Sequence, residues 1–390
     1  MARSVLVTSS LMFLAACGSP SPSADEPSST DSTGAALTVA SHRARSSDRV
    51  FVLGNEVKNE VIVYDAGEGG ALREARRVAT GGQGSNDGLG SQGSLALSGN
   101  GKWLLAVNAA SDQVSLFRVH GSRLELADVA PAGGNRPISV TESRDLVYVV
   151  NAGVAQNVSG FWIDESRGAL RPIKGSARAL SAASAVGAAQ VSFSPDGDAL
   201  VVTEKGTNMI DAFVVRRDGT LTDARTSRSV GDTPFGFAFD PSGTLIVSDA
   251  FGGAAGAGAV SSYRLGLSAS PVVVSGAVAD HQAAPCWVVV TPDGRFAYTS
   301  NTASGTVSGY GIQADGTLSL FGDGGVTAST GDGSKPIDMT LDDEGHLLYV
   351  LNGGTKSVGA FRIAADGSLS PAGSVGGLPA HAAGLVATGR

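Results

Sequence analysis

Residues 194–221 read SPDGDALVVTEKGTNMIDAFVVRRDGTL, and the order of elements in this stretch decides the fold. A Ser-Pro-Asp-Gly turn leads into a short apolar run that ends at Glu204. A second apolar run follows and leads into the Asp-Gly-Thr-Leu turn at residues 218–221. Pro, Asp and Gly are typical of tight turns, and short apolar runs between such turns are typical of β-strands. The stretch therefore predicts two tight hairpins of antiparallel strands.

The same order of elements recurs along the chain about every 50 residues. In each unit the first apolar run ends in a polar residue: Asn55, Asn108, Asn151, Glu204, Asp249, Asn301 and Asn352. Two tight hairpins per unit, without helical periodicity, describe a propeller blade of four antiparallel strands. The middle strands are apolar on both faces because each blade packs between two others. The seven units predict an all-β fold, a seven-bladed β-propeller over residues 49–390.

The first unit lacks an obvious innermost strand ahead of Val50. The C-terminus offers a candidate in Leu378-Pro379 and residues 382–388, where the Pro resembles those that begin other inner strands. Closing the ring with this strand would remove the exposed edges of an open ring. Residues 36–40 are the alternative, although no tight turn follows them. We expect the C-terminal strand to complete the first blade.

The N-terminus has the pattern of a targeting segment. Arg3 precedes an apolar run that ends in Leu14-Ala15-Ala16-Cys17, which resembles the lipobox of bacterial lipoproteins. The run is too short to span a bilayer as a helix. We therefore predict a signal peptide over residues 1–17, lipid attached at Cys17, and a protein anchored in the bacterial envelope, in the periplasm or at the cell surface. The alternative is an ordinary secretory signal in which Cys17 is incidental.

Residues 18–48 are rich in Ser, Pro, Ala, Asp and Thr and poor in bulky side chains. Such a composition buries too little apolar surface to offset chain entropy. We expect a flexible tether between the anchor and the folded domain.

Composition excludes several classes of protein. The net charge is −8 and no basic cluster stands out, which argues against nucleic acid as a partner. The five histidines are scattered without the spacing of metal ligands. No glycine-rich segment follows a strand and opens a helix, as dinucleotide binding requires. We predict a monomer without a metal or a cofactor, whose partners are the membrane and either a small molecule or an envelope protein.

The paired turn signatures resemble those of the lactonase family of propellers, which includes bacterial 6-phosphogluconolactonase and fungal carboxymuconate cyclase. They are Thr291-Pro292-Asp293-Gly294 with Asp315-Gly316-Thr317-Leu318, and their counterparts at 194–197 and 218–221. The resemblance covers residues 49–390 and is closest to uncharacterised lipoprotein members. These carry segments similar to Val202-Thr203-Glu204-Lys205 and Pro336-Ile337-Asp338-Met339.

The resemblance does not extend to the catalytic residues. Enzymes of the family carry Pro-His at the start of one inner strand and Pro-Arg-His at the start of the next. At these places the chain has Ala189-Gln190 and Pro234-Phe235-Gly236. Hydrolysis of a lactone needs a base together with a fixed cation, and both are missing from their familiar positions. Family membership therefore leaves enzyme activity open.

Strand alternation places the stereotyped turns on one face of the ring and the variable loops on the other, here called the loop face. Function is expected on the loop face, around the central channel. The candidate ligand-binding residues there are Arg136, Gln190, Glu204, Lys205, Asp249 and Asp338.

Each candidate has a structural alternative. The asparagines at strand ends are expected to bond their own loops, and Glu204 and Asp249 are chosen because they depart from that pattern. Arg136 could instead form a surface salt bridge, and Lys205 could be solvated. Two functions follow: binding of a small polar ligand or an envelope partner, or alternatively lactone hydrolysis by a rearranged site.

Overall fold

A computed structural model describes residues 48–121, 123–182, 186–266 and 268–388. Cys17, most of the expected tether and the alternative closing segment at 36–40 lie outside these ranges. Two short 3-10 turns occur within the ranges, Glu68–Gly70 and Phe251–Gly253. No described helix is long and apolar enough to cross a bilayer.

The strands of the described ranges are, in chain order, β1 (Asp48–Leu53), β2 (Glu60–Ala66), β3 (Leu72–Ala79), β4 (Leu95–Leu97), β5 (Trp103–Asn108), β6 (Gln113–His120), β7 (Arg123–Pro131), β8 (Pro137–Ser143), β9 (Leu146–Asn151), β10 (Asn157–Asp164), β11 (Ala169–Pro172), β12 (Arg178–Ala179), β13 (Ala188–Phe193), β14 (Ala199–Glu204), β15 (Met209–Val214), β16 (Arg225–Arg228), β17 (Pro234–Phe239), β18 (Thr244–Asp249), β19 (Ala259–Leu265), β20 (Pro271–Ala279), β21 (Pro285–Val290), β22 (Phe296–Asn301), β23 (Thr306–Ile312), β24 (Leu318–Phe321), β25 (Ala328–Ser329), β26 (Pro336–Leu341), β27 (Leu347–Asn352), β28 (Ser357–Ile363), β29 (Leu369–Gly376) and β30 (Ala383–Thr388).

These strands form seven antiparallel sheets, which confirms the predicted seven-bladed propeller. Counted from the channel outward, the blades are β30-β1-β2-β3, β4 to β7, β8 to β11, β13 to β16, β17 to β20, β21 to β24 and β26 to β29. We number them blades 1 to 7 in that order. In blades 3 and 6 the short strands β12 and β25 also pair with the third strand and continue the outer edge.

The C-terminal strand closes the ring as predicted. Strand β30 pairs with β1, with Val386 opposite Phe51 and Leu385 opposite Val52. Blade 1 therefore combines the two ends of the folded chain, and its innermost position is filled by β30. Leu385 of β30 and Val52 of β1 pack in one cluster with apolar side chains of blade 7, among them Tyr349 of β27.

The blades pack face to face through their second and third strands. All six residues of β9 and of β27 are buried, as their unbroken apolar sequences predict. Burial of a large apolar side chain stabilises a fold by about 1.5–3 kcal/mol. The core is therefore a ring of interfaces between blades rather than one central cluster.

The two tight turns predicted from the sequence are held by hydrogen bonds from their own Ser and Asp side chains. In the 194–197 turn, the backbone N–H of Ala199 donates to Ser194 Oγ (3.0 Å) while Gly197 has a φ of 70°. In the outer hairpin, the N–H of Thr220 donates to Asp218 Oδ1 (2.9 Å). These side chains satisfy backbone donors that the strands leave unpaired, so both turns are compact and one face of the ring is uniform.

Four inner strands, which line the channel, begin with the same backbone conformation. The residues before four inner-strand prolines have left-handed backbone: Arg136, Thr233, Ala284 and Lys335, with φ of 54°, 59°, 57° and 46°. Each of these strands then shifts register just after its Pro. The bulge turns the second or third residue of the strand towards the neighbouring blade.

Candidate functional site

A segment of blade 2 lies across the channel on the loop face. It comprises residues 89–94, and we call it the crossing segment. Ser91 Oγ donates to the Ile138 carbonyl of blade 3 (2.8 Å), and the N–H of Gln92 donates to the Ala189 carbonyl of blade 4 (3.0 Å). The indole N–H of Trp287, in blade 6, donates to the Ser91 carbonyl (3.1 Å). Contacts with three other blades fix this segment over the channel, and they explain why β4 is short.

Gln92 closes the channel from the crossing segment. Its Nε2 donates to the Val288 carbonyl (2.8 Å), and its Oε1 accepts from the Val288 N–H (3.0 Å). An innermost strand has one edge without a neighbour, so its N–H and C=O groups need other partners. The Gln92 amide supplies both partners to β21.

Gln190 pairs with blade 5 in the same way, while Asp338 only accepts, from backbone N–H groups of its own strand and of blade 1. Gln190 accepts from the Phe237 N–H (2.7 Å) and donates to the Phe237 carbonyl (2.9 Å). Asp338 accepts from the Met339 N–H (2.8 Å) and faces the N–H groups of Gly384 and Leu385. Burial raises the pKa of Asp338 well above its usual value, and these N–H groups oppose the rise. Both candidates thus line the channel with their polar atoms engaged by neighbouring strands.

Below the crossing segment lies a cavity of about 630 Å³. The inner strands of all seven blades form its wall, and it extends to turn residues such as Ser98, Pro195 and Asp343. Gln92, Gln190 and Asp338 lie on its lining. The turn face therefore has more room at its centre than the sequence suggests.

The ring residues Glu204 and Asp249 lie inside their blades and are fully buried. The carboxylate of Glu204 accepts from the N–H of Ser181 (2.9 Å) and from the hydroxyls of Ser181 and Thr207. The structure does not bring either carboxylate to the channel, because the second strand of a blade lies one strand away from it. Their role in ligand binding stays a prediction. In the structure both carboxyl groups belong to hydrogen-bond networks inside the ring of blades.

That network recurs in several blades. In blade 2, Asn108 Oδ1 accepts from the hydroxyl of Thr80 (2.6 Å), and its Nδ2 donates to Ser115 Oγ (2.7 Å). In blade 5, Asp249 accepts from the hydroxyls of Ser229 and Ser261. The polar residue thus joins the end of the second strand to the third strand and to the loop after an outer strand. Glu204 and Asp249 are variants of one structural position.

The acidic variants alter the electrostatics of their blades. Burial raises the pKa of Asp249 to about 7, opposed by the hydroxyls of Ser261 and Ser229. Burial, and then a hydrogen bond between the two carboxyl groups of Asp211 and Glu204, raises the pKa of Asp211 to about 7. Asp211 is the acidic counterpart of Ser115, and the sequence analysis did not single it out. Its signal was the Asp seven residues after the ring position, where blades 2 and 6 have Ser.

Arg136 and Lys205 are the candidates that remain on the loop face. Lys205 is half-buried, its ammonium donates to the Gly90 carbonyl of the crossing segment, and Nζ lies 4.6 Å from the centre of the Phe235 ring. Arg136 is exposed, and its backbone N–H donates to Asp112 Oδ1 (2.7 Å). Burial, and then the charge of Arg136, lowers the pKa of Lys205 to about 7.

Neither cation forms a salt bridge with a carboxylate of the described ranges. The salt bridge considered for Arg136 is therefore not formed within this part of the chain. Phe235 supplies a floor under Lys205 and packs against Trp287, with ring centres 4.9 Å apart. The centre of the loop face thus combines the Lys205 ammonium, an aromatic surface and a closed channel below.

The residues that replace the family's catalytic side chains lie beside the crossing segment and Lys205. Gly236 stands where the resemblance implies a His, and a Cβ added there would lie 2.1 Å from Gln92 Oε1. Phe235 stands where it implies an Arg and carries Lys205 on its ring. Gln92 of the crossing segment thus fills the space that a side chain at residue 236 would need.

Comparison with known proteins agrees with this fold. Three solved structures superpose on most of the chain at TM-scores of 0.69, 0.69 and 0.67: a protein from Lactobacillus plantarum, the periplasmic gluconolactonase of Pseudomonas aeruginosa, and a Bacteroides uniformis protein provisionally named a 6-phosphogluconolactonase. Their identities to this chain are 20%, 16% and 18%, covering 87%, 87% and 86% of it and 98%, 98% and 99% of their own chains. At such identities the likeness shows the fold alone.

No curated protein matches the sequence significantly. The family model described as a lactonase, 7-bladed beta-propeller, matches residues 40–186, 175–250 and 250–376. These matches span most of the chain and all seven blades contribute to them. The chain belongs to the lactonase family of seven-bladed β-propellers.

Proposed function

We propose that this protein is an exported, lipid-anchored propeller that binds a small polar ligand at the centre of its loop face. The observation that carries the proposal is the Lys205 ammonium, which lies over the Phe235 ring beside the crossing segment and has no carboxylate partner in the described ranges. Binding sites typically place a few polar groups beside an apolar or aromatic surface. Phe235 and Trp287 provide that surface.

The other candidates support the site indirectly. Gln92, Gln190 and Asp338 hold the inner strands together, so the floor of the site is rigid. A site on a rigid scaffold binds without a large ordering cost. We therefore place ligand contact at Arg136 and Lys205, and assign the amide and carboxyl groups below them to positioning.

Binding can be tested with the full chain in mild detergent. Sugars, sugar acids and sugar lactones would be screened by thermal shift and then by calorimetry. A ligand at 100 times its dissociation constant stabilises the folded state by about 2.7 kcal/mol. A bound ligand whose affinity falls in Lys205→Gln and not in Lys335→Gln supports the site. Ligands that bind both variants as the unmodified protein does would place the site elsewhere.

Lactone hydrolysis is the second candidate function. It is favoured by the surroundings of Lys205: its ammonium lies over the Phe235 ring, and burial, and then the charge of Arg136, lowers its pKa to about 7. An amine that is partly unprotonated at neutral pH can act as a base, and a neighbouring guanidinium can stabilise an oxyanion. Glucono-lactone hydrolysis followed in a pH-stat would decide it. Turnover that is lost in Lys205→Gln supports hydrolysis, and turnover no faster than the buffer reaction excludes this substrate.

A further inference from the structure

We infer that Glu204 and Asp211 hold a single proton between them inside blade 4, and that the loss of this proton releases the two loops that the pair joins. One loop contributes Ser181 and the other contains Thr207, and both residues donate to Glu204. The inference does not depend on the proposed ligand. It is carried by the hydrogen-bond partners that the two carboxyl groups have and by the one that they lack.

The two acids occupy positions that other blades fill with an amide and a hydroxyl. In blade 2, Asn108 Nδ2 donates to Ser115 Oγ (2.7 Å), and the same contact measures 2.8 Å in blade 6. The register of the second and third strands is the same in blades 2 and 4, since the ring residue lies opposite the residue five positions later. The carboxyl groups of Glu204 and Asp211 therefore meet as the amide and the hydroxyl do, in hydrogen-bond contact.

Donors account for three of the four carboxyl oxygens. Glu204 Oε1 accepts from the N–H of Ser181 (2.9 Å), and its Oε2 accepts from the hydroxyls of Ser181 and Thr207. Asp211 Oδ1 accepts from the hydroxyl of Thr226. Asp211 Oδ2 is buried and receives no donor from the described residues. Because a carboxylate can only accept, contact between two carboxyl groups needs a proton on one of them. A proton on Asp211 that is donated to Glu204 supplies the missing partner.

The elements around the pair supply no cation to it. Strands β13 and β17, which pack against β14, carry no ionisable side chain. Arg225 of β16 is exposed. Other cations of adjoining elements bond to backbone carbonyls or to an exposed carboxylate: Arg178, Lys205, and Arg228 with Asp232 at 2.9 Å. The described residues thus give the pair hydroxyl and N–H groups, and no positive charge.

A shared proton is the least costly way to hold the two acids together. Two carboxylates in contact repel each other, and burial penalises each charge further. Both side chains are fully buried, and burial, and then the contact with Glu204, raises the pKa of Asp211. The folded protein therefore holds this proton more tightly than the unfolded chain does. The link stabilises the blade at low pH and is lost as pH rises through the titration of the pair.

The loss of the proton acts on the loops. Strands β14 and β15 stay joined by their backbone ladder, whereas Ser181 and Thr207 reach blade 4 through the carboxylate that an ionised Asp211 would repel. The loop at residues 204–208 also contains Lys205, whose N–H donates to the Gly187 carbonyl (3.0 Å). Ionisation of the pair therefore loosens the loop that holds Lys205 at the crossing segment.

Infrared difference spectroscopy of the full chain in detergent, between pH 6 and pH 9, follows the proton. The C=O band of protonated carboxyl groups should weaken as pH rises. Part of that band should be missing at pH 6 from Asp211→Asn, whose carboxamide donates permanently to Glu204. In Glu204→Gln the Asp211 band should titrate at least about one pH unit lower, because an N–H donor replaces the second acid. Asp249→Asn, which neutralises a buried acid of the next blade, should keep the part of the band that belongs to the pair.

Hydrogen exchange measures the release of the loops. Peptides that contain Ser181 and residues 204–208 are compared with those of blade 2 around Thr80 and Asn108, where the network has no carboxyl group. The blade 2 peptides correct for faster intrinsic exchange at high pH. Between pH 6 and pH 9, exchange in the blade 4 peptides should rise at least about tenfold relative to blade 2 in the unmodified protein. In Asp211→Asn the ratio should stay constant.

Each part of the inference can fail separately. If the unmodified protein and Asp211→Asn have the same band at pH 6, Asp211 is ionised and the inference is overturned. A lower melting temperature in a chelator would then identify a metal ion in place of the proton. An Asp211 band that titrates at the same pH in Glu204→Gln would show a lone acid and overturn the shared proton, and this comparison stands even if Asp211→Asn does not fold. Titration of the pair without a change in relative exchange would overturn the release of the loops.

Discussion

At the scale of single residues, the ring position shows that a departure from a repeat can have a structural explanation as well as a functional one. Glu204 and Asp249 interrupt a series of asparagines, and a change of charge at the end of a strand is a reasonable signal of a site. The repeat itself held the structural explanation, because Asn108, Glu204 and Asp249 make the same kind of contact with neighbouring hydroxyls. Sequence reasoning could find the position but not the direction of the side chain.

Lys205 illustrates the opposite difficulty. It looks like an ordinary loop lysine, and nothing local to it in the sequence predicts burial. Its contacts, Gly90 and Phe235, come from blades 2 and 5. Only the closed ring brings these residues together. The surroundings of Lys205 therefore could not be predicted from its local sequence.

Asp249→Asn should make stability less dependent on pH. The pKa of Asp249 is about 7 in the folded protein against an ordinary value of 3.8, so the folded state holds the proton more tightly than the unfolded chain does. Its ionisation therefore lowers the free energy of unfolding as pH rises through this interval. We compare the free energy of unfolding of the variant with that of the unmodified protein at each pH. This difference should shift in favour of the variant by about 2–4 kcal/mol between pH 4 and pH 8. Urea unfolding at both pH values measures this.

An equal pH dependence in the two proteins would mean that Asp249 is ionised without penalty. The same variant also tests the role of the ring. Because Asp249 lies inside its blade, ligand binding at the loop face should be unchanged. A clear loss of affinity in a folded Asp249→Asn protein would restore the prediction that Asp249 contacts the ligand.

At the scale of elements, the hairpin turns and the strands were predictable because their determinants are local. The Ser194 and Asp218 turns use contacts within a few residues. The crossing segment was not predictable, since its partners lie in blades 3, 4 and 6. The sequence did mark it indirectly, because Ser91-Gln92-Gly93-Ser94 occurs where other inner strands begin with Pro.

Gly236→Ala tests the crossing segment. The added Cβ would lie 2.1 Å from Gln92 Oε1 and 2.5 Å from the Cys286 carbonyl oxygen. Relief requires Gln92 to leave Val288, so we expect a loss of stability of about 1–3 kcal/mol. Denaturant unfolding gives the size of the loss, and the fluorescence of Trp287, which donates to Ser91, reports the local change.

Gly99→Ala is the control for that experiment, because a Cβ at Gly99 meets nothing within 4 Å. It should change stability by no more than a few tenths of a kcal/mol. If Gly236→Ala is as well tolerated as Gly99→Ala, the Gln92 side chain does not lie against Gly236 as described.

At the scale of the whole molecule, the repeat determined the architecture from sequence alone. Seven units of similar length, one of them without its inner strand, required the chain ends to meet. The pairing of β30 with β1 meets that requirement. The location of the function could not be read in the same way, because the proposed site gathers groups from blades 2 to 6.

Removal of the residues after Pro379 should open the ring. Blade 1 would lose its innermost strand, and the packing of Leu385 against blade 7 would go with it. We expect a lower and broader thermal transition, since an unpaired edge also favours association. Removal of only Gly389-Arg390 leaves β30 intact and should preserve the transition. Equal melting of the unmodified and the longer-truncated proteins would contradict closure by this strand.

The lipid anchor remains a prediction from the sequence. Cys17→Ser should move the protein from the membrane fraction to the soluble fraction, because a thioether-linked lipid is the expected membrane contact. Fractionation followed by a mild salt wash measures this. Retention of the variant in the membranes after washing would contradict lipid anchoring at Cys17.

The proposed ligand site depends most on Lys205, and the reactivity of its amine can be measured directly. Acetic anhydride labelling of the full chain at pH 7.5, followed by peptide mass spectrometry, compares Lys205 with Lys335 in one sample. A lowered pKa leaves more neutral amine to react, so Lys205 should label faster than its partial burial suggests. The bound ligand should protect Lys205 and leave Lys335 unchanged. Ligand binding that leaves the labelling rate of Lys205 unaltered would contradict a loop-face site at Lys205.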